Sequence, residues 1–134
     1  MHPNVMKADQ TIFIVDDEKA VRESVAALLR AHKLRVELFA SGEEFLAVYD
    51  GGRPGCLVAD MRLEGGMSGV QLQQALLERG GRLPVIMITG HVDEKSAKDA
   101  LAKGALCVLQ KPVPYNELLA HVRRALEMDV ERRG

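Results

Sequence analysis

Apolar and polar positions follow two rhythms along this chain. Five short apolar runs, at residues 11–15, 35–39, 56–59, 85–88 and 106–109, are separated by longer stretches in which apolar residues recur at helical spacing. Strand-length runs alternating with helix-length stretches predict βαβ units, and so a parallel sheet with helices on both faces. The first, third, fourth and fifth runs are apolar throughout, as in strands buried on both sides. The second alternates Arg35, Val36, Glu37, Leu38 and Phe39, which suits an edge strand with one wet face.

The first helix, 20–31, places Val21, Val25, Leu28 and Leu29 on one stripe. The second opens with Ser41-Gly42-Glu43-Glu44 as a capping box and buries Phe45, Leu46 and either Val48 or Tyr49. The third, 70–79, carries Leu72, Leu76 and Leu77 and stops at Gly80-Gly81. The fourth, 94–103, is capped by Asp93 and ended by Gly104, and Leu101 is its one large apolar residue among alanines. The fifth, 115–128, turns Leu118, Leu119, Val122, Ala125 and Leu126 to the core. The expected organisation is a flexible leader at 1–10, one α/β domain at 11–128, and a tail or the start of a linker at 129–134. No internal repeat or low-complexity segment interrupts it.

The residues just past each run turn a fold into a candidate site. The first run meets Asp16-Asp17, the third Asp60, the fourth Thr89 and the fifth Lys111-Pro112; only the second ends without such a group. In an open α/β sheet, ligands sit beyond the carboxyl ends of the strands, where strand order reverses. Two carboxylates about 5 Å apart at an effective dielectric of about 20 repel by roughly 3 kcal/mol. Three together either shift their pKa values upward or recruit a cation. The donors are all oxygen, which selects a hard ion such as Mg²⁺, bound by one or two carboxylates plus phosphate oxygens. Capping of the first helix is the plainer role for Asp16-Asp17, but it explains one aspartate and not two followed by Glu18. Asp60, closing an apolar strand, reads as a nucleophile toward a phosphoryl donor. Thr89 offers a hydroxyl and Lys111 a compact positive charge to the phosphoryl oxygens. Taken alone, each would be an ordinary strand or surface residue. A cis bond at Lys111-Pro112 would suit a sharp turn here, and the sequence leaves the isomer open.

Composition narrows the partners. With 134 residues and a net charge of −1, the chain is one domain with nothing to steer it toward nucleic acid. Arg123-Arg124 and Arg132-Arg133 read as solvated helix ends. No apolar stretch has the length of a membrane span, and residues 1–10 lack the apolar core of a signal peptide. No membrane partner and a cytoplasmic location are therefore expected. Cys56 and Cys107, in runs taken as central strands, read as small buried hydrophobes without the spacing of a zinc or disulfide site.

Together these residues resemble the receiver domain of bacterial two-component response regulators. The resemblance rests on Val15-Asp16-Asp17-Glu18, on Asp60 closing the third strand, on Thr89 and on Lys111-Pro112, and it covers residues 11–128. Phe39-Ala40-Ser41, Pro54-Gly55-Cys56-Leu57-Val58, Met67-Ser68-Gly69 and the segments 83–86 and 88–91 are similar to the nitrogen-fixation regulator subfamily. The resemblance implies a doubly wound, flavodoxin-like (βα)₅ fold with sheet order 2-1-3-4-5. It implies that Asp60 accepts phosphate from a sensor histidine kinase or phosphotransfer protein. Mg²⁺ would be held by the Asp17 and Asp60 carboxylates and the Arg62 backbone carbonyl, with Asp16 acting through a metal-bound water. The signal would leave through the face of helix four, strand five and helix five. A phosphorylation-dependent dimer and a C-terminal DNA-binding domain as output belong to the same implication. So does catalysis confined to the domain's own phosphorylation and dephosphorylation. Arg62 and His91, two residues beyond Asp60 and Thr89, occupy positions that tune phosphate lifetime, although His91 reads equally as a solvated loop residue. His121 lacks the context of a phosphotransfer histidine.

Two departures bear on relay. Val108 stands where the family carries Phe or Tyr, and the loop Leu63-Glu64-Gly65-Gly66-Met67 lacks the usual proline and runs one residue longer. Neither touches a metal or phosphate ligand. The expected consequence is a relay through the loop and the thinly packed fourth helix. Three other readings compete. A flavodoxin-type nucleotide binder would meet repulsion from Asp16-Asp17-Glu18, and a freestanding aspartyl phosphatase would need a cap for which the chain has no room. A receiver-like module that no longer signals is opposed by the intact Asp16, Asp17, Asp60, Thr89 and Lys111.

Overall fold

Five parallel strands lie in the order β2-β1-β3-β4-β5 in the computed structural model, which describes residues 9–133. They are β1 (Thr11–Val15), β2 (Val36–Phe39), β3 (Gly55–Asp60), β4 (Val85–Thr89) and β5 (Cys107–Gln110). The helices between and after them are α1 (Lys19–Ala31), α2 (Gly42–Val48), α3 (Gly69–Glu78), α4 (Glu94–Ala102) and α5 (Tyr115–Arg133). The expected fold class and strand order are both met. From β1 the chain steps one way to β2 and then returns to β3 on the other side, so strand order reverses between β1 and β3.

Alternate side chains of each strand point to opposite faces, and that period produces two cores. Phe13, Val15, Leu57, Ala59 and Met87 face α2, α3 and α4, joined by Phe45, Leu72 and Ala100. Ile12, Ile14, Cys56, Val58, Ile86 and Ile88 face α1 and α5, joined by Leu29, Leu118, Val122 and Ala125. Phe13, Phe39, Phe45 and Tyr49 pack as one aromatic cluster, with Phe13 and Phe45 edge-to-face at 5.4 Å.

Several expectations need correction. β5 is an edge strand in which only Leu109 is buried, in the core toward α1 and α5, while Val108 packs partly buried on the opposite face, so continuous apolarity there marks an edge and not a central strand. Cys107 is consequently half-buried rather than central. Leu77 is 47 % exposed, on the outer side of α3, and Tyr49 rather than Val48 fills the core beside α2. The reciprocal capping box belongs to α3, where Ser68 accepts from Gln71 N–H and the Gln71 side chain accepts from Ser68 N–H. Ser41 accepts from Glu44 N–H at 3.1 Å, one half of the box expected there.

The last helix continues to Arg133 instead of stopping at Met128. Its extra turn is fixed by Asp129, a fully buried carboxylate. Oδ2 of Asp129 accepts from Gly55 N–H at 2.8 Å and from Gln10 Nε2 at 3.0 Å, and Oδ1 accepts from Arg133 Nε at 2.7 Å. Arg133 also donates to the Gly52 and Arg53 carbonyls, and Arg132 to the Arg82 carbonyl. These arginines brace the domain; they are not simply solvated ends. Gln10, at the end of the expected leader, is buried and donates to the Leu126 carbonyl at 2.7 Å. The leader up to residue 8 lies outside the described residues. Among the described residues, no helix is long and apolar enough to cross a membrane.

Candidate functional site

Parallel register brings the strand ends level. Val15 pairs with Ala59, Asp60 with Ile88, and Thr89 with Gln110, so the residues at and just beyond them share one edge. Gly69 allows α3 to begin directly over the end of β3, since a Cβ there would lie 2.1 Å from the Asp60 carbonyl oxygen. The Lys111-Pro112 peptide is cis.

Asp16 and Asp60 are buried, at 1 % and 5 % exposure, and Asp17 is half-exposed beside them. One carboxylate oxygen from each lies within 4.8 Å of the others. The Lys111 ammonium donates to Asp60 Oδ2 at 2.7 Å and to Asp16 Oδ2 at 3.0 Å, with Glu18 Oε1 at 3.5 Å. The second oxygens are held by backbone: Glu18 N–H donates to Asp16 Oδ1 and Arg62 N–H to Asp60 Oδ1, each at 2.9 Å. Glu64 N–H donates to Asp17 Oδ2 at 3.3 Å. Glu18, not either aspartate, occupies the N-cap of α1, and its side chain makes no cap bond. Capping therefore does not account for the acidic pair.

Burial pushes the Asp16 carboxyl up from its ordinary value of 3.8. The Glu18 N–H and Lys111 oppose the rise, and the Asp60 charge adds to it. Burial pulls the Lys111 ammonium down, but its bonds to Asp60 and Asp16 outweigh that and hold it above 10.5. A single ammonium faces several converging carboxylates, so negative charge is in excess and the cluster is suited to a cation. The all-oxygen donor set fits a hard cation such as Mg²⁺.

The crevice above this cluster has a volume of about 310 Å³ and is lined by Asp17, Asp60, Arg62, Glu64, His91 and Lys111 among others. Thr89 is buried at its edge, and its hydroxyl donates to the His91 carbonyl at 3.0 Å and accepts from His91 N–H at 3.3 Å. The structure thus gathers Asp17, Asp60, Arg62, His91 and Lys111 around one space, with Asp16 buried beneath it on Lys111 and Thr89 bonded to the loop that carries His91. Sequence reading missed Arg22, whose guanidinium donates to the Asp16 carbonyl at 2.8 Å. It also missed Glu64, which contributes through its backbone and so leaves no signal in residue type.

The model of the response regulator receiver domain family matches residues 12–123. The chain belongs to that family. This receiver is 42 % identical over 121 residues to the transcriptional regulatory protein TdiR of Thauera aromatica, covering 90 % of this chain and 53 % of that protein. It is 39 % identical over 119 residues to the transcriptional regulatory protein FixJ of Rhizobium meliloti, covering 89 % and 58 %. The receiver thus spans little more than half the length of these curated relatives, and the likeness to the nitrogen-fixation regulator group holds. Among solved structures, the response regulator StyR superposes with a TM-score of 0.88 at 38 % identity, covering 93 % of this chain and 63 % of that one.

Val108 is a receiver position without a ring. It is half-buried on β5, paired with Met87. The three Phe and two Tyr of the chain all lie elsewhere: four in the cluster around β1, β2 and α2, and Tyr115 at the start of α5, bonded to Ser24.

Proposed function

We propose that this receiver takes a phosphoryl group onto Asp60 from a sensor histidine kinase or phosphotransfer protein, with Mg²⁺ held by Asp16, Asp17, Asp60 and the Arg62 carbonyl. The observation that carries the reading is the Lys111 ammonium bridging Asp16 and Asp60 beneath an open crevice in which three carboxylate oxygens converge. A carboxylate oxygen of Asp60 attacks the phosphorus of a phosphohistidine. The P–N bond breaks with its electron pair going to the imidazole, and an aspartyl phosphate forms. Attack of water on the same phosphorus returns the carboxylate and inorganic phosphate. Arg62 N–H sets the rotation of the Asp60 carboxylate beforehand, and Lys111 is placed to follow a phosphoryl oxygen. Bound Mg²⁺ supplies the charge that lets a phosphoryl group approach an acidic cluster. Thr89 would exchange its bond with the His91 carbonyl for one to the phosphoryl group, pulling the start of α4 with it.

In this reading the domain catalyses only its own phosphorylation and dephosphorylation, in the cytoplasm, and Arg62 and His91 tune how long the phosphate lasts. The apolar groove of about 540 Å³ between α1 and the start of α5 includes Lys111 and so adjoins the crevice, where a donor histidine's helix would dock. Output would pass through α4, β5 and α5 to a DNA-binding domain or another partner, with a phosphorylation-dependent dimer as one form of that output. Incubation with acetyl phosphate and Mg²⁺, followed by intact mass measurement, tests the chemistry. The expected result is a gain of one phosphoryl group that Asp60→Asn abolishes. No gain from acetyl phosphate or a cognate kinase would instead support a receiver-like module that no longer signals.

A further inference from the structure

The loop between β3 and α3 is held on two sides. Near its start, Glu64 N–H donates to Asp17 Oδ2 at 3.3 Å. Near its end, Met67 N–H donates to Glu43 Oε2 at 3.0 Å, and Glu43 sits in the first turn of α2. Gly66 makes room for this contact, since a Cβ there would lie 2.8 Å from both Glu43 carboxylate oxygens. The Met67 side chain presses on Gly42 beside it, where an added Cβ would come within 2.8 Å of Cγ and Sδ. The stretch between the two holds is Gly65-Gly66, with Gly65 at φ +77, a backbone with little stiffness of its own.

We propose that Glu43 is a positioning residue for the divalent cation site. By clamping the far end of the loop it keeps Glu64 N–H against Asp17, and so aims that carboxylate at Asp16 and Asp60. The inference rests on the Mg²⁺ reading above. A carboxylate has roughly four acceptor positions, so Asp17 keeps the Glu64 bond while offering an oxygen to a cation. Donors that orient a metal ligand from behind are typically worth about 10- to 100-fold in affinity. Glu43 acts one step further out, through a glycine-rich backbone, and its share is correspondingly smaller. Removing the clamp returns conformational freedom to the loop, which Mg²⁺ binding must then overcome.

Calorimetric titration of the whole chain with MgCl₂ tests this. Glu43→Ala is expected to weaken binding by roughly three- to tenfold, as a fraction of a full orienting donor. Gly66→Ala should reproduce that loss, because its methyl displaces the Glu43 carboxylate. Glu43→Gln keeps an acceptor oxygen without the charge and should stay within about twofold of wild type, which separates the clamp from mere loss of negative charge. Glu44→Ala, one residue on, removes a carboxylate that bonds Ser41 rather than the loop, and should leave Mg²⁺ affinity unchanged. In amide spectra recorded without Mg²⁺, Glu43→Ala should shift Glu64 and Asp17 as well as Met67. Wild-type affinity in Glu43→Ala, or equal losses in Glu43→Gln or Glu44→Ala, would overturn the inference while leaving the Mg²⁺ site standing. Absence of saturable binding by the wild type would overturn both.

Discussion

Asp16 sits at odds with stability. Its carboxyl is buried, raised above 3.8, and shares one lysine with Asp60. A group whose folded pKa is raised binds more protons in the folded state, so its stabilising contribution is present at low pH and lost as pH rises through the folded value. Asp16→Asn keeps an acceptor for Glu18 N–H and leaves Lys111 paired with Asp60. It should therefore raise stability without Mg²⁺ by on the order of 1 kcal/mol, with the gain growing from near pH 4 toward neutrality. Thermal melts at pH 4 and pH 8 check this; an equal or negative difference at pH 8 would contradict it. The same variant should bind Mg²⁺ more weakly, the mark of a residue kept for a ligand. Asp16, Asp17, Asp60, Thr89 and Lys111 were legible because each closes or succeeds an apolar run, and parallel strands put such positions on one edge. Arg62 was legible only in part and Glu64 not at all, since what they bring to Asp60 and Asp17 is backbone N–H, which every residue but proline carries.

Among the elements, α4 is the least anchored. Ala100 is its one buried residue, and Leu101, its one large apolar side chain, is exposed. Amide exchange should therefore be faster in α4 than in α1, where Val25, Ala26 and Leu29 are buried, and comparable rates would argue against a mobile α4. β5 itself carries no ring, and the Thr89 hydroxyl bonds the His91 carbonyl in the loop before α4, which is the route expected to carry a shift from the crevice. Beryllofluoride with Mg²⁺ should accordingly shift amides in the 90–94 segment and α4; saturation without such shifts would rule this route out. Element types and order could be read from the two periodicities because buried parallel strands are continuously apolar. The edge status of β5 could not, because apolarity serves a strand whether one or both of its faces are covered. The end of α5 was missed for the opposite reason: Asp129 looks like a surface residue until its three donors are seen.

At the scale of the whole molecule, Asp129 joins the start of the sheet to the end of the chain. It lies outside the stretch matched by the family model, residues 12–123. Asp129→Ala would strand the buried Gly55 N–H and take one acceptor each from the Gln10 amide and the Arg133 guanidinium, which keep their carbonyl partners. The expected cost is about 3 kcal/mol in urea unfolding, with Asp129→Asn costing less. Acetyl phosphate labelling of Asp60 at low temperature should persist in either variant, since the crevice lies at the opposite edge of the sheet. The Gln10–Asp129 bond spans 119 positions of sequence and the Gly55–Asp129 bond 74. During synthesis, β1 and β3 leave the ribosome long before their polar partner exists. Until that last turn of helix emerges, the Gly55 N–H and the Gln10 amide have water in place of the Asp129 carboxylate. The polar contacts at this edge of the sheet thus depend on a single carboxylate that is synthesised late.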